Sequence, residues 1–195
     1  LIADEYKNKR LNSPNDVCVH SNGEVFFTDP PYGIINPKRV EGFPGKMMYD
    51  GCYVFKYDPK TKILEAIVTN MERPNGIALS LDESHLFISN TGGSKYIRRY
   101  EIDQNLRISN PIEFAKSDPN HVFDGFRFDE DNNLWTSCGK GIACFSSSGE
   151  QIGYIKIPEL VSNVDFGGTE GNTLFITAST SLYMAKLSVK GAKYK

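Results

Sequence analysis

Three oxygen-bearing side chains, Asn15, Asn75 and Asp124, each open the same phrase: an amide or carboxylate, a short apolar strand, a turn rich in Gly, Asn or Asp, and a second apolar strand. The phrase occupies residues 15–29, 75–90 and 124–138, and a fourth copy runs over 163–177. One carboxylate with two amide carbonyls is a donor set for a hard divalent cation, with water completing the shell. Ca²⁺ is the expected ion, with Mn²⁺, Mg²⁺ or Zn²⁺ as alternatives. Such a cation polarises an ester or lactone carbonyl and acidifies water, and Asp124 beside it would take the proton. That is hydrolysis without a side-chain nucleophile. No Gly-x-Ser-x-Gly elbow, P-loop, His-Glu-x-x-His or Gly-x-Gly-x-x-Gly offers a competing chemistry.

For these side chains to meet, the repeats must be arranged around a common axis. Their starts at 15, 75, 124 and 163 lie 60, 49 and 39 residues apart, bracketing the roughly 40–50 residues of a four-stranded propeller blade. Each copy continues into outer strands. In the first copy, residues 52–57 and 63–69 flank the turn Asp58-Pro-Lys-Thr-Lys, a hairpin signal. Comparable pairs follow at 96–102 with 108–114 and at 141–145 with 151–157, and a single strand at 181–187. No 3.6-residue periodicity persists long enough for a helix. The reading is all-β, a β-propeller of about four blades forming one partial domain over 1–195. A β-sandwich shares the strand spacing but gives no reason to repeat one polar pair. Turn chemistry accounts for any single Asn-Gly or Asp-Gly; convergence of several on one tunnel is what suggests ligation, since buried polar groups need partners.

With 195 residues, 39% hydrophobic and a net charge of −2, the chain can bury a sizeable core and offers no basic field for nucleic acid or anionic lipid. No apolar run reaches membrane-spanning length. Neither nucleic acid nor membrane is therefore an expected partner. Cys18, Cys52, Cys138 and Cys144 lack Cys-x-x-Cys spacing and read as small hydrophobes. Compartment stays open between cytoplasm and periplasm or exterior.

Taken together, Ser13-Pro-Asn-Asp16 leading to Phe27-Thr-Asp-Pro-Pro-Tyr-Gly33, Arg73-Pro-Asn-Gly-Ile77 with Leu86-Phe-Ile-Ser-Asn90, Phe123-Asp-Gly-Phe126 with Asn133-Leu-Trp135, and Ser162-Asn-Val-Asp-Phe-Gly-Gly168 with Leu174-Phe-Ile-Thr177 resemble the gluconolactonase and senescence-marker-protein (regucalcin) family along essentially the whole chain. The resemblance implies a six-bladed propeller with an axial divalent metal that hydrolyses sugar lactones such as glucono-1,5-lactone. It implies Asn75 and Asp124 as metal ligands, Asp124 also as general base, and Asn15 as a metal ligand or a substrate-orienting residue. Paraoxonases and diisopropyl fluorophosphatase use a similar Asn and Asp scheme around Ca²⁺, so phosphotriesterase activity is a neighbouring possibility; strictosidine-synthase-like propellers are more distant. Family members are longer, and their remaining ligand, a Glu near the start of the first blade, has no counterpart here. The resemblance thus implies a chain truncated at its N-terminus, and a noncatalytic propeller module is the alternative reading.

Several further expectations concern single positions. Tyr32, in the Pro-rich stretch 30–45, is placed to contact a sugar ring from a rim loop. His121 either assists proton transfer or is an ordinary loop residue. Trp135 is aligned with Phe27, Phe87 and Phe175 as packing, Asp29 and Asn90 cap turns, residues 1–12 form the outer strand of a preceding blade, and 193–195 form a solvated end.

Overall fold

The computed structural model describes residues 1–35, 45–118 and 120–194. Four antiparallel sheets follow one another along the chain. The first joins β3 (Val17–Val19), β4 (Val25–Asp29), β5 (Cys52–Asp58) and β6 (Ile63–Met71) in sequence order. The second joins β7 (Pro74–Leu79), β8 (His85–Asn90), β9 (Tyr96–Ile102) and β10 (Ile108–Lys116); the third β11 (Phe126–Phe128), β12 (Leu134–Ser137), β13 (Gly141–Phe145) and β14 (Gln151–Lys156). The fourth holds three strands, β15 (Val161–Gly167), β16 (Thr173–Ala178) and β17 (Leu182–Lys186). Inner strands of successive sheets touch, β3 against β7, β7 against β11 and β11 against β15. This is the four-bladed propeller arrangement expected of the sequence. Residues 32–35 add one helical turn, α1 (Tyr32–Ile35); the rest of the expected rim loop, 36–44, lies outside the described residues.

Turn chemistry sets the hairpins. Asp58 accepts from Lys60 N and Thr61 Oγ1, Asp103 from Asn105 N and Arg107 N, and Asp129 from Asp131 N and Asn133 N. In each, a short carboxylate at the end of a strand satisfies the amides of the reversal.

Middle strands such as β8 and β13 are buried almost throughout, because each sheet is covered on both faces. The register reveals the packing rule. Phe26, Phe87, Trp135 and Phe175 stand opposite Cys18, Ala78, Arg127 and Asp165, so the position aligned with Trp135 in the first sheet is Phe26, one residue before the expected Phe27. Phe26 packs on Ile77, Leu86 and Ile88 of the second sheet, Phe87 on Phe126, Phe128 and Leu134 of the third, and Trp135 on Val164, Phe166 and Leu174 of the fourth. The buried rings, Phe26 and Phe87, each stabilise the fold by roughly 1.5–3 kcal/mol. Trp135 also donates Nε1–H to Asp129 Oδ2 at 2.8 Å, so the indole's polar edge is satisfied.

The opposite face of the first sheet is covered by the N-terminal segment. Residues 1–12 form a hairpin, β1 (Glu5–Tyr6) and β2 (Lys9–Arg10), where a single outer strand was expected. Lys7 and Asn8 both take positive φ, as a two-residue type I′ turn requires, and Tyr6 then packs edge-on against Phe55 with ring centroids 5.1 Å apart. At the other end of the chain Gly191 bridges to Asp129 and Lys193 Nζ lies 2.9 Å from Asp165 Oδ1. Lys193 is therefore tied down where a free solvated end was expected.

Candidate functional site

The repeat places one residue just ahead of each inner-strand ladder. Asp16 aligns with Thr28, Gly76 with Ser89 and Gly125 with Ser137 when the ladders of β3, β7 and β11 are extended by one residue, and Asn163 pairs with Thr177 in β15. The preceding residues, Asn15, Asn75, Asp124 and Ser162, are thus equivalent. The fourth copy begins at Ser162, one residue earlier than its sequence suggests, because Asn163 occupies the position of Asp16, Gly76 and Gly125. The ladder is irregular at these residues: β7 shifts register between Pro74 and Ile77 and β15 between Val161 and Asn163. A bulge of this kind frees a side chain from the in-and-out alternation and re-aims it.

Hydroxyl groups of the second strands fix the backbone there, both within their own sheet and across to the next. Thr28 Oγ1 accepts from Asp16 N at 3.2 Å and donates to the Asn75 carbonyl at 2.7 Å. Ser89 Oγ repeats the pattern, accepting from Gly76 N at 2.8 Å and donating to the Asp124 carbonyl at 3.1 Å. Ser137 Oγ accepts from Asp124 N at 2.8 Å, and the Ser162 carbonyl accepts from Gly125 N at 2.9 Å. Gly76 and Gly125 do not take left-handed φ values. Their need is space: a Cβ on Gly76 would overlap the Asp124 carbonyl oxygen, and one on Gly125 the Asn163 side chain. Sequence reasoning read these glycines as turn formers and passed over Thr28, Ser89 and Ser137. Their signal was present, a hydroxyl at one register position of each second strand.

The sequence-selected side chains differ in environment. Asn75 is 5% exposed, and its Oδ1 is buried with no hydrogen-bond partner among the described residues. Asp124 is half-buried on the adjoining sheet, its main-chain N and O both held as above. Asn15 is exposed, with its N donating to the Thr28 carbonyl. Tyr32 begins α1, its hydroxyl hydrogen-bonded to Thr91 Oγ1. Burial, the negative charge of Asp124 adding to it, holds the Tyr32 phenol above its ordinary pKa, so it stays neutral. Arg73 lies over the Tyr32 ring, its guanidinium carbon 6.0 Å from the centroid. Nothing in the sequence beyond its place two residues before Asn75 singled out Arg73. His121 instead faces Cys138, Nδ1 to Sγ 3.9 Å.

Asp29, expected to cap a turn, has a larger role. Fully buried, it accepts from the main-chain N of Asn12 and Ser13 and from the Tyr49 hydroxyl. Burial raises its pKa to about 6 despite the two amide donors. It thereby anchors the segment that leads into Asn15.

Farther along the inner strands the axis widens into a cavity of about 470 Å³ whose walls include Val17, Ile77, Leu79 and Phe128. Charges of alternating sign line it: Arg127 lies 3.9 Å from Asp165, which meets Lys193, and Arg127 also lies 4.0 Å from Asp16 beside the cavity.

The oxygen donors of Asn75 and Asp124 suit a hard cation, and an orphaned buried carbonyl is what an ion would satisfy. Among the described residues no group of three or more His, Cys, Asp or Glu side chains is placed to hold a metal, so a donor set here draws on amide oxygens as well as carboxylate. The four cysteines are free, and no helix among the described residues is long and apolar enough to cross a membrane.

Comparison with known proteins adds independent information. A family model described as SMP-30/Gluconolactonase/LRE-like region matches residues 1–180. A gluconolactonase of Zymomonas mobilis subsp. mobilis is 36% identical over 201 residues, covering 98% of this chain and 55% of that protein. The solved structure of a Xanthomonas campestris gluconolactonase superposes with a TM-score of 0.86 at 34% identity, over 97% of this chain and 60% of that one. A calcium-binding regucalcin from Agrobacterium tumefaciens shares the fold, with a TM-score of 0.69 at 16% identity over 86% of this chain and 54% of that one. The chain spans about half the length of the curated relatives with which it aligns almost throughout.

Proposed function

Since the chain belongs to the SMP-30/gluconolactonase/LRE-like family, we propose that it contributes the catalytic face of a metal-dependent hydrolase acting on sugar lactones of the glucono-1,5-lactone type. The observation that carries the reading is the Asn75 side-chain carbonyl, buried and unpartnered among the described residues, one sheet away from Asp124. An unsatisfied buried acceptor costs about 1–3 kcal/mol, a penalty that a bound cation relieves. Asn75 and Asp124 would hold the ion, with Asn15 joining them or orienting substrate through water. A divalent cation there supplies Lewis acidity toward the lactone carbonyl.

The chain's own residues do the rest. Water adds to the carbonyl carbon and passes a proton to the Asp124 carboxylate. The ring C–O bond then breaks, and the departing oxygen takes that proton to become the hydroxyl of the open-chain acid. The hydroxyl seam keeps Asp124 in register during this transfer, because its main-chain N and O are bonded to different sheets. Tyr32, a neutral phenol at the mouth, contacts the sugar.

Replacement Asp124→Asn keeps the size of the side chain and removes its basicity. Opening of glucono-1,5-lactone, followed by proton release in the presence of Ca²⁺ or Mn²⁺, is expected to fall by about 10²–10⁴-fold with the fold intact by circular dichroism. Turnover equal to that of the unsubstituted protein would remove Asp124 from the chemistry. Retained binding of lactone without any turnover in either protein would favour the noncatalytic module.

A further inference from the structure

Arg73 stands out at the mouth because its charge is unanswered among the described residues. The guanidinium is exposed and makes no ion pair within 4.0 Å among the described residues. Its sequence neighbour Glu72 is committed elsewhere, accepting from Gly93 N at 2.6 Å. The arginine is nonetheless well positioned. Its main-chain N donates to Asn90 Oδ1 at 2.9 Å, its carbonyl accepts from Thr91 N at 3.0 Å, and its side chain lies over Tyr32. Tyr32 is itself bonded to Thr91 and within the electrostatic reach of Asp124. One aromatic ring is thus overlain by the arginine and feels the charge of the proposed general base. A planar guanidinium steadied on an aromatic face presents its N–H edge to carboxylate or phosphate.

We propose that Arg73 is a specificity-determining residue and that the preferred substrates are lactones carrying an anionic substituent, carboxylate or phosphate, away from the reacting carbonyl. The assignment rests on the lactone-hydrolase reading above. With the carbonyl at Asp124 and the sugar ring on Tyr32, the distal group reaches Arg73. A charge-assisted bond formed there is retained from ground state to transition state, so it acts on KM.

The test compares glucono-1,5-lactone with 6-phosphoglucono-1,5-lactone and with glucaro-1,4-lactone, in the unsubstituted protein and in Arg73→Gln and Arg73→Lys. The expected result is a kcat/KM ratio of anionic to neutral lactone that falls at least about tenfold in Arg73→Gln, through KM, and partly recovers in Arg73→Lys. The phosphate and carboxylate arms identify which anion is favoured. An unchanged ratio for both anionic lactones in Arg73→Gln would overturn the proposal. Calorimetric binding of the open-chain acids 6-phosphogluconate, glucarate and gluconate keeps the two readings separable. If no lactone is opened, the hydrolase reading fails, while tighter binding of the two acids that carry a second anionic group, lost in Arg73→Gln, still supports the arginine's role. Equal binding of gluconate and of the two acids with a second anionic group would overturn that role whatever the turnover.

Discussion

The mouth and the floor of the axial space are built on the same inner strands, yet they treat polar groups in opposite ways. On the floor, Asp16, Arg127, Asp165 and Lys193 alternate in sign and answer one another. At the mouth, among the described residues, the Asn75 side-chain carbonyl is buried without a partner and Arg73 makes no ion pair with a carboxylate. A fold that can satisfy charges within a few residues of the strand starts has the means to satisfy these too. Leaving the buried side-chain carbonyl open is costly for the isolated chain, and the cost makes sense where a ligand completes the set. The floor is thus best regarded as structure and the mouth as chemistry.

The contrast can be broken most forcefully at the seam between them. Gly76→Ala places a methyl against the Asp124 carbonyl, which is main chain and cannot swing aside. A loss of about 3 kcal/mol in urea unfolding is expected, against little change for Gly93→Ala, whose added methyl would meet the Glu72 carboxylate only at ordinary contact distance, 3.5 Å. Equal costs would mean that the sheets do not depend on this close approach.

Next in size is the response to metal. Saturating Ca²⁺, at about a hundred times its dissociation constant, is expected to stabilise the protein by about 2.7 kcal/mol and to raise Tm by several degrees. In Asn75→Ala most of that rise should vanish. The same Ca²⁺-dependent shift in both proteins would assign the orphaned carbonyl no part in ion binding.

Asp29 gives a smaller, pH-dependent effect. Its carboxyl, usually near 3.8, holds its proton to about pH 6 in the folded protein, so between about pH 4 and 6 the folded state binds more protons than the unfolded one. Its contribution to stability therefore falls as pH rises through that window, by at most about 1.4 kcal/mol per pH unit. Chemical denaturation of Asp29→Asn should show a flatter profile there than the unsubstituted protein. Parallel profiles would show that the buried carboxyl is not coupled to folding.

The smallest effect belongs to the floor. Lys193 and Asp165 are each about half exposed, 51% and 53%, and an ion pair so open to water is worth at most about 1 kcal/mol. Lys193→Ala should shift the unfolding midpoint little and leave lactone opening unaltered. A marked fall in activity would show that floor and mouth are coupled.

How much of this was legible beforehand follows from the physics of each part. The sheets were readable because strand alternation, Asx-type turns at Asp58, Asp103 and Asp129, and the repeated aromatic all act locally. The equivalence of Asn15, Asn75 and Asp124 was readable for the same reason. Register within the fourth repeat was not, since the bulge at Ser162 inserts a residue without a compositional mark. Nor was the reason for Gly76, because the atom that excludes a side chain there comes from the next sheet. Arg73 was hidden in the same way: its interest lies in what surrounds it, the ring of Tyr32 and the diversion of Glu72.

The irregular pairing at the strand starts has one more outcome. Where a residue stands outside the ladder while a neighbouring hydroxyl grips its main chain, its identity can change without disturbing the strands behind it. Asn, Asn, Asp and Ser occupy the four equivalent places of this one molecule, like interchangeable tools in a common handle. New reactivity on such a scaffold can evolve by single exchanges there, with architecture conserved.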